Sequence, residues 1–298
     1  MKIIARCNRL FPSVVIAFLV LSYVGAAHAQ SLLGGAKAEK AKIAHKAEYK
    51  NKSFCNSNSW SSDNISLRDV REITLPASGT INVDSRQNGG IDVRGEDRGD
   101  ILVRACVQTW GKTDVAARSL AESIKIATAG TIMADSSEGE KDWSVSYQIL
   151  VPRSTGLLLK AHNGGISVVG IDSTAQFETM NGGLHVADVA GKVTGRTMNG
   201  GVNVVLSGSS WKGGGLDLQT VNGGVMVRMP TNYAAQVETG TVNGGYTTDI
   251  RGLEIEQPDR ERGHRAAKVN VALNGGGAPV RISTTNGGVR IVQSETEM

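Results

Sequence analysis

Asn-Gly-Gly recurs in this chain at Asn88, Asn163, Asn181, Asn199, Asn222, Asn243 and Asn286, with a relative, "NGGG", at Asn274. The central copies are spaced 18, 18, 23 and 21 residues apart, and two of them share the five letters TMNGG. Most copies are followed by an apolar-x-apolar triplet: "IDV", "ISV", "LHV", "VNV", "VMV" and "VRI". Alternation with period two marks a strand with one buried face. Asn243 and Asn274 break the rule, being followed by "YTT" and, after the extra glycine, "APV".

The residues before the corners repeat as well. "AQFETMNGG" and "AQVETGTVNGG" share Ala-Gln-apolar-Glu-Thr, so each unit reads as two short strands and two corners. Glycine suits such corners because a Cβ makes the left-handed region costly, and asparagine tolerates that region next best. Asn-Gly between strands is also a hairpin signal, which would give an antiparallel meander or sandwich. A fixed period with the same side chain returning at the same corner favours stacked coils, in which like residues lie about 4.8 Å apart. Stacked asparagines would then form a hydrogen-bonded ladder. The reading is all-β: a β-solenoid, like a right-handed parallel β-helix, with Asn-Gly-Gly corners. Thirty-seven glycines and 4% aromatic residues fit that thin architecture better than a thick enzyme core.

The solenoid is expected over 71–298. "TDVAARSLAES", with Thr113 as N-cap, is the one convincing helix and is expected to cover an open sheet edge. Residues 30–70 read as a Lys/Ala-rich tether and an irregular N-terminal segment. Residues 36–52 carry six lysines against two glutamates, whereas the remainder carries no basic excess of the kind a nucleic-acid-binding core would show.

Residues 1–29 read as a signal peptide. Lys2, Arg6 and Arg9 precede the apolar run "VVIAFLVLSYVGAA", and Ala27-His28-Ala29 offers a cleavage site between Ala29 and Gln30. No later apolar run is long enough to span a membrane. The expected destination is outside the cytoplasm: periplasm, cell surface or medium. Cys55 and Cys106, the two cysteines beyond the leader, are expected to pair there.

The stretch "WSVSYQILVPRSTGLLLKAHNGGISVVGIDSTAQFETMNGGLHVADVAGKV" resembles the bacterial putative-adhesin family of β-strand-repeat proteins, and the resemblance extends over about Ile73 to Val292. It implies a right-handed β-helix-like fold, export to the envelope, and an adhesive or scaffolding role. It supplies no catalytic residues to carry over.

Some β-helix proteins cleave polysaccharides, and such chemistry needs converging carboxylates. Glu178 and Glu238, in the two Ala-Gln-apolar-Glu-Thr stretches, are the candidates and read as equivalent repeat positions on one face, but a repeated solvated face would produce them too. His162, His185 and His264 sit at unrelated repeat positions, so no metal site is expected. No phosphate-binding, dinucleotide or nucleophile motif is found, and no cofactor is expected. The candidate recognition residue is Trp211, in the insertion "GSSWKGGG", where an exposed indole could stack on a sugar. Its alternative is an indole folded back over the coils. Tyr233 and Tyr246 could extend such a patch. The expectation is a non-enzymatic envelope protein binding a glycan or a partner protein. A polysaccharide-active enzyme and a periplasmic assembly or signalling module are the competing classes.

Overall fold

The computed structural model of the 298-residue chain describes residues 54–55, 64–139, 141–253 and 267–294. The chain divides into two compact units, Met1–Ser57 and Asn58–Met298, and the fold below is that of the second. The expected leader, its Ala29–Gln30 junction and the lysine-rich tether lie outside the described residues. No described helix is long and apolar enough to cross a membrane.

The middle of the unit follows the repeat. Strands β8 (Gly156–Ala161), β10 (Ala175–Asn181), β12 (Lys192–Asn199) and β14 (Gly215–Asn222) pair in parallel in one sheet, here the second. Strands β9 (Ile166–Val169), β11 (Leu184–Ala187), β13 (Val202–Val205) and β15 (Val225–Met229) do so in the first. The chain alternates between sheets, so each pair of strands adds one rung to both. The register follows the sequence spacing: Leu157 faces Ala175, which faces Val193.

Inward residues of both sheets form a single core. Val168, Val186, Val204 and Val227 line one row, and Leu159, Phe177, Gly195 and Leu218 line the opposing one, all buried. Phe177 and Gly195 are complementary, because a Cβ on Gly195 would overlap the Phe177 ring. The Phe177 ring thus fills the space that Gly195 leaves in the row and keeps the interior close-packed.

At both ends, spatial order departs from sequence order. Strands β16 (Ala235–Asn243) and β17 (Tyr246–Thr248) do not stack on β14 and β15. The last rung, β19 (Pro279–Asn286) and β20 (Val289–Gln293), lies between them, parallel to both. At the other end β2 (Thr80–Asp84) and β3 (Ile91–Glu96) lie between two later rungs. These are β8 with β9, and β6 (Thr131–Ser136) with β7 (Trp143–Pro152). The rungs are therefore not stacked in strict sequence order.

Among the described residues three of the four sheet ends are antiparallel, the exception being β17, which is parallel to β20. Strand β1 (Ile65–Pro76) pairs with β4 (Asp100–Gly111), and β4 with β7. Strand β5 (Ile124–Ala127) pairs with β6, and β18 (Ala267–Leu273) with β16. Strand β1 already begins at Ile65, inside the segment expected to be irregular. Asn274 is no corner of the stack: it turns β18 into β19 with a left-handed φ of 47°.

Helix α1 (Asp114–Ser123) forms where "TDVAARSLAES" predicts it. Thr113 caps it by accepting from the Ala116 backbone N–H at 3.1 Å. Its buried residues Ala117, Leu120 and Ala121 pack it against β1, β4 and β5. The side chain of Arg71 on β1 donates to the Ala121 and Ile124 carbonyls at its C-terminus, at 2.7 and 2.5 Å. Because β1 and β5 are the edge strands of the two sheets, the helix covers that end of the stack.

Candidate functional site

The corners come first, because they fix every outward side chain nearby. All of the Asn-Gly-Gly asparagines join one ladder, in which each Nδ2 donates to the Oδ1 of the next. Asn163 donates to Asn88 at 3.1 Å; Asn181 to Asn163, Asn199 to Asn181 and Asn222 to Asn199 at 2.8 Å. Asn286 then donates to Asn222 at 2.7 Å and Asn243 to Asn286 at 2.8 Å. The glycines are needed for a reason other than a left-handed backbone. Gly164, Gly182, Gly200 and Gly223 are not among the residues with positive φ. A Cβ on any of them would overlap the carbonyl of the corner glycine one rung away.

A second ladder runs beneath the first. Thr179, Thr197, Thr220, Thr284 and Thr241 are buried and donate through Oγ1 to the Gly164, Gly182, Gly200, Gly223 and Gly287 carbonyls, at 2.7–2.8 Å. The full signature is thus Thr-x-Asn-Gly-Gly. It is visible in the sequence, where the threonine stands two places before each of these asparagines.

Outward side chains of the second sheet lie in three registered rows. The first runs Gln176, Thr194, Asp217, Arg281, Glu238. The second runs Lys160, Glu178, Arg196, Gln219, Ser283, Gly240, Lys268. The third, beside the asparagines, exposes Met180, Met198, Val221 and Val242. Where the second row shrinks to Ser283 and Gly240, a groove of about 640 Å³ opens between Arg281 and Glu238 on one side and Val221 and Val242 on the other. A second depression of about 500 Å³ lies at Gly195, bordered by Gln176, Glu178 and Lys192. Arg196 lines both.

Within the groove Arg281 makes a two-pronged contact with Glu238, Nε to Oε2 at 2.9 Å and Nη2 to Oε1 at 3.2 Å. That bond raises the Arg281 pKa. Gln236 donates to Asn270 at 2.6 Å beside it.

Glu178 and Glu238 do not stand at equivalent places. Glu178 is in the second row and Glu238 in the first, because two extra residues separate Glu238 from its asparagine. Four rung steps lie between them, about 19 Å at 4.8 Å each. A glycosidase pair needs about 5–9.5 Å. The two carboxylates do not converge.

His162 lies beside the ladder, and His185 projects from the outer face of the first sheet. Burial lowers the His185 pKa, with Asp92 pulling the other way and Arg228 adding slightly. His264 lies outside the described residues. Among the described residues no group of three or more His, Cys, Asp or Glu comes together to hold a metal. Cys55 and Cys106 form a disulfide.

Trp211 as an exposed anchor is corrected. Its side chain is only 6% exposed, and Nε1 donates to the Gly191 carbonyl at 2.9 Å. The insertion is pinned to the preceding corner: Gly191 N–H donates to Lys212 O at 2.6 Å, and Gly215 N–H to Gly191 O at 3.1 Å. Folding back removes a large apolar surface from water while keeping the indole N–H bonded. Tyr233 is buried as well, and Tyr246 is half-buried with its hydroxyl donating to Leu253 O at 3.2 Å.

No family model matches this chain, and no curated protein matches it. Among solved structures it is similar to a putative cell adhesion protein from Clostridium sporogenes ATCC 15579, at a TM-score of 0.37 and 13% identity, covering 77% of this chain and 100% of that one. It is similar to a putative adhesin from Bacteroides fragilis NCTC 9343, at 0.31 and 10%, covering 76% and 97%. It is also similar to a putative lipid binding protein from Parabacteroides distasonis ATCC 8503, at 0.27 and 8%, covering 76% and 97%.

Proposed function

We propose that this chain is an exported, non-catalytic binding scaffold of the cell envelope, with an adhesin's role. It holds an extended glycan along the outer face of the second sheet. One observation carries the reading: two depressions, at Gly195 and Gly240, lie on one rigid face with Arg196 common to both. Guanidinium, amide and hydroxyl groups border them, and such groups match the hydroxyls of a polymer that crosses several rungs. Small-molecule chemistry favours a concave, partly dry pocket, whereas this face is open, its groove bordered by charged side chains on one side and by Val221 and Val242 on the other. The disulfide suits an oxidising compartment. The coil is taken to be right-handed, as strand–crossover–parallel-strand connections almost always are.

The test is retention of the purified protein on a panel of envelope glycans, with product analysis of the same mixtures. Retention without turnover is expected. Arg196→Ala should weaken it, and Ser283→Trp, which fills the groove from an exposed strand position, should abolish it while the melting curve stays put. Hydrolysis or elimination products that vanish in Glu178→Gln or Glu238→Gln would replace this reading by an enzyme. Crosslinking in cells to one protein, with no glycan retained, would replace it by an assembly module.

A further inference from the structure

Every ladder asparagine is followed by glycine, the residue that least obstructs attack on the asparagine amide by the next peptide nitrogen. In that reaction the glycine nitrogen bonds to Cγ of asparagine, the Cγ–Nδ2 bond breaks, and ammonia leaves with the glycine proton. Water then opens the resulting succinimide to aspartate or isoaspartate. An exported protein with this many Asn-Gly peptides at exposed corners carries a built-in set of modification sites.

The ladder opposes the reaction in two ways. To bring Cγ over its own glycine nitrogen, an inner asparagine must give up two ladder bonds, one donated and one accepted. The nucleophile is also engaged: the N–H groups of Gly200, Gly223 and Gly287 donate to the backbone carbonyls of Asn222, Asn286 and Asn243, at 2.9–3.1 Å. Asn88 and Asn243 end the ladder and hold one ladder bond each. Asn88 still has its Gly89 N–H bonded to Asn163 O at 3.2 Å. Asn243 belongs to the last parallel rung, with β17 at the edge of its sheet.

We propose that the asparagine ladder is a directional deamidation site that opens at Asn243 and advances inward. Aspartate at 243 cannot donate to Asn286 Oδ1, and it sets a carboxylate oxygen against that amide oxygen. Asn286 is then left with one ladder bond and becomes the new end. Modification proceeds in the spatial order Asn243, Asn286, Asn222, Asn199, which is not the order of the sequence.

The experiment is a time course of the folded, disulfide-intact protein in mildly alkaline buffer, with peptide mass spectrometry reading conversion at each asparagine. Asn243 should convert first and Asn163, Asn181 and Asn199 severalfold more slowly. In denaturant all of these sites should converge on one rate. An inner site converting as fast as Asn243 in the folded protein overturns the proposal. Asn199→Asp sharpens the test: it removes the bond donated to Asn181 but keeps the one accepted from Asn222. Conversion should rise at Asn181 and not at Asn222. An equal rise at both, with the melting curve unchanged, defeats the directional account. Should that variant fail to fold, the wild-type order alone decides.

Discussion

The two corners of each rung solve the same problem by opposite means. At the Asn-Gly-Gly corner, adjacent rungs share one geometry and use Thr Oγ1, Asn side chains and bare glycine backbones in the same way. The opposite corner changes from rung to rung. Arg153 there bridges Asp172 and Asp188, at 2.9 and 3.0 Å. The rung with the insertion instead docks Trp211 on Gly191, and in the next rung Tyr233 fills the interior. Identical corners leave no room for a side chain on the backbone, whereas variable corners admit insertions because each is stabilised by its own contacts. Insertions are therefore accommodated at the variable corner of the stack and not at the shared one.

Substituting glycine separates the two corners most strongly. Gly200→Val would force a Cβ against the Gly182 carbonyl and push adjacent rungs apart, a loss expected to exceed about 4 kcal/mol. Gly208 has open space around it and a φ of 72°, so Gly208→Val should cost only the strain of a left-handed residue, about 1–2 kcal/mol. Urea unfolding of the two variants measures the gap. Comparable losses would mean that the corner carbonyls can move apart, and that the shared geometry is incidental.

How much of this was legible follows from the same contrast. Where one geometry is reused, as at Asn181, Asn199 and Asn222, residue spacing gave the strand register and the ladder. Where contacts are individual, spacing says nothing, so Trp211 could be read as facing either way. Ala-Gln-apolar-Glu-Thr misled for a physical reason. Register is set from the asparagine backwards, and two added residues in β16 moved Glu238 to a different row from Glu178. The placement of β19 between β14 and β16 left no local signal, because any Thr-x-Asn-Gly-Gly rung fits against any other. The groove at Ser283 and Gly240 arises from that placement and was hidden with it.

Trp211 tests the variable corner next. Trp211→Ala should cost about 3–5 kcal/mol of stability, as large-to-small changes of buried aromatics do. Glycan retention per folded molecule should stay the same, since Trp211 lines neither the groove nor the second depression. Lost retention at unchanged stability would return Trp211 to the binding surface.

The threonine ladder should respond less. Thr197→Val keeps the shape but leaves the Gly182 carbonyl without its 2.7 Å donor, a loss of about 1–3 kcal/mol for a buried unpaired group. The same change at Thr239, whose Oγ1 has no hydrogen-bond partner among the described residues, should be neutral or stabilising. Equal effects at the two positions, read from paired unfolding curves, would deny the hydroxyl ladder any role in holding rungs together.

The smallest effect belongs to His185, on the outer face of the first sheet and away from both corners. Burial lowers its pKa below the ordinary value of about 6.5, so the folded state binds a proton less readily than the unfolded chain. Stability contributed by the neutral ring is complete above that ordinary value and declines as pH falls through the lowered one. Asp92 opposes the shift and Arg228 assists it, and the ring is half-buried, so the decline should be slight. His185→Gln should flatten this section of the curve between neutral pH and about pH 5, where an ordinary histidine is charged. Subtracting the variant's urea midpoints from those of the wild type across that range isolates it from the carboxylates. A wild-type midpoint that rises relative to the variant on acidification would mean the charged ring is the favoured one, with Asp92 rather than burial controlling it.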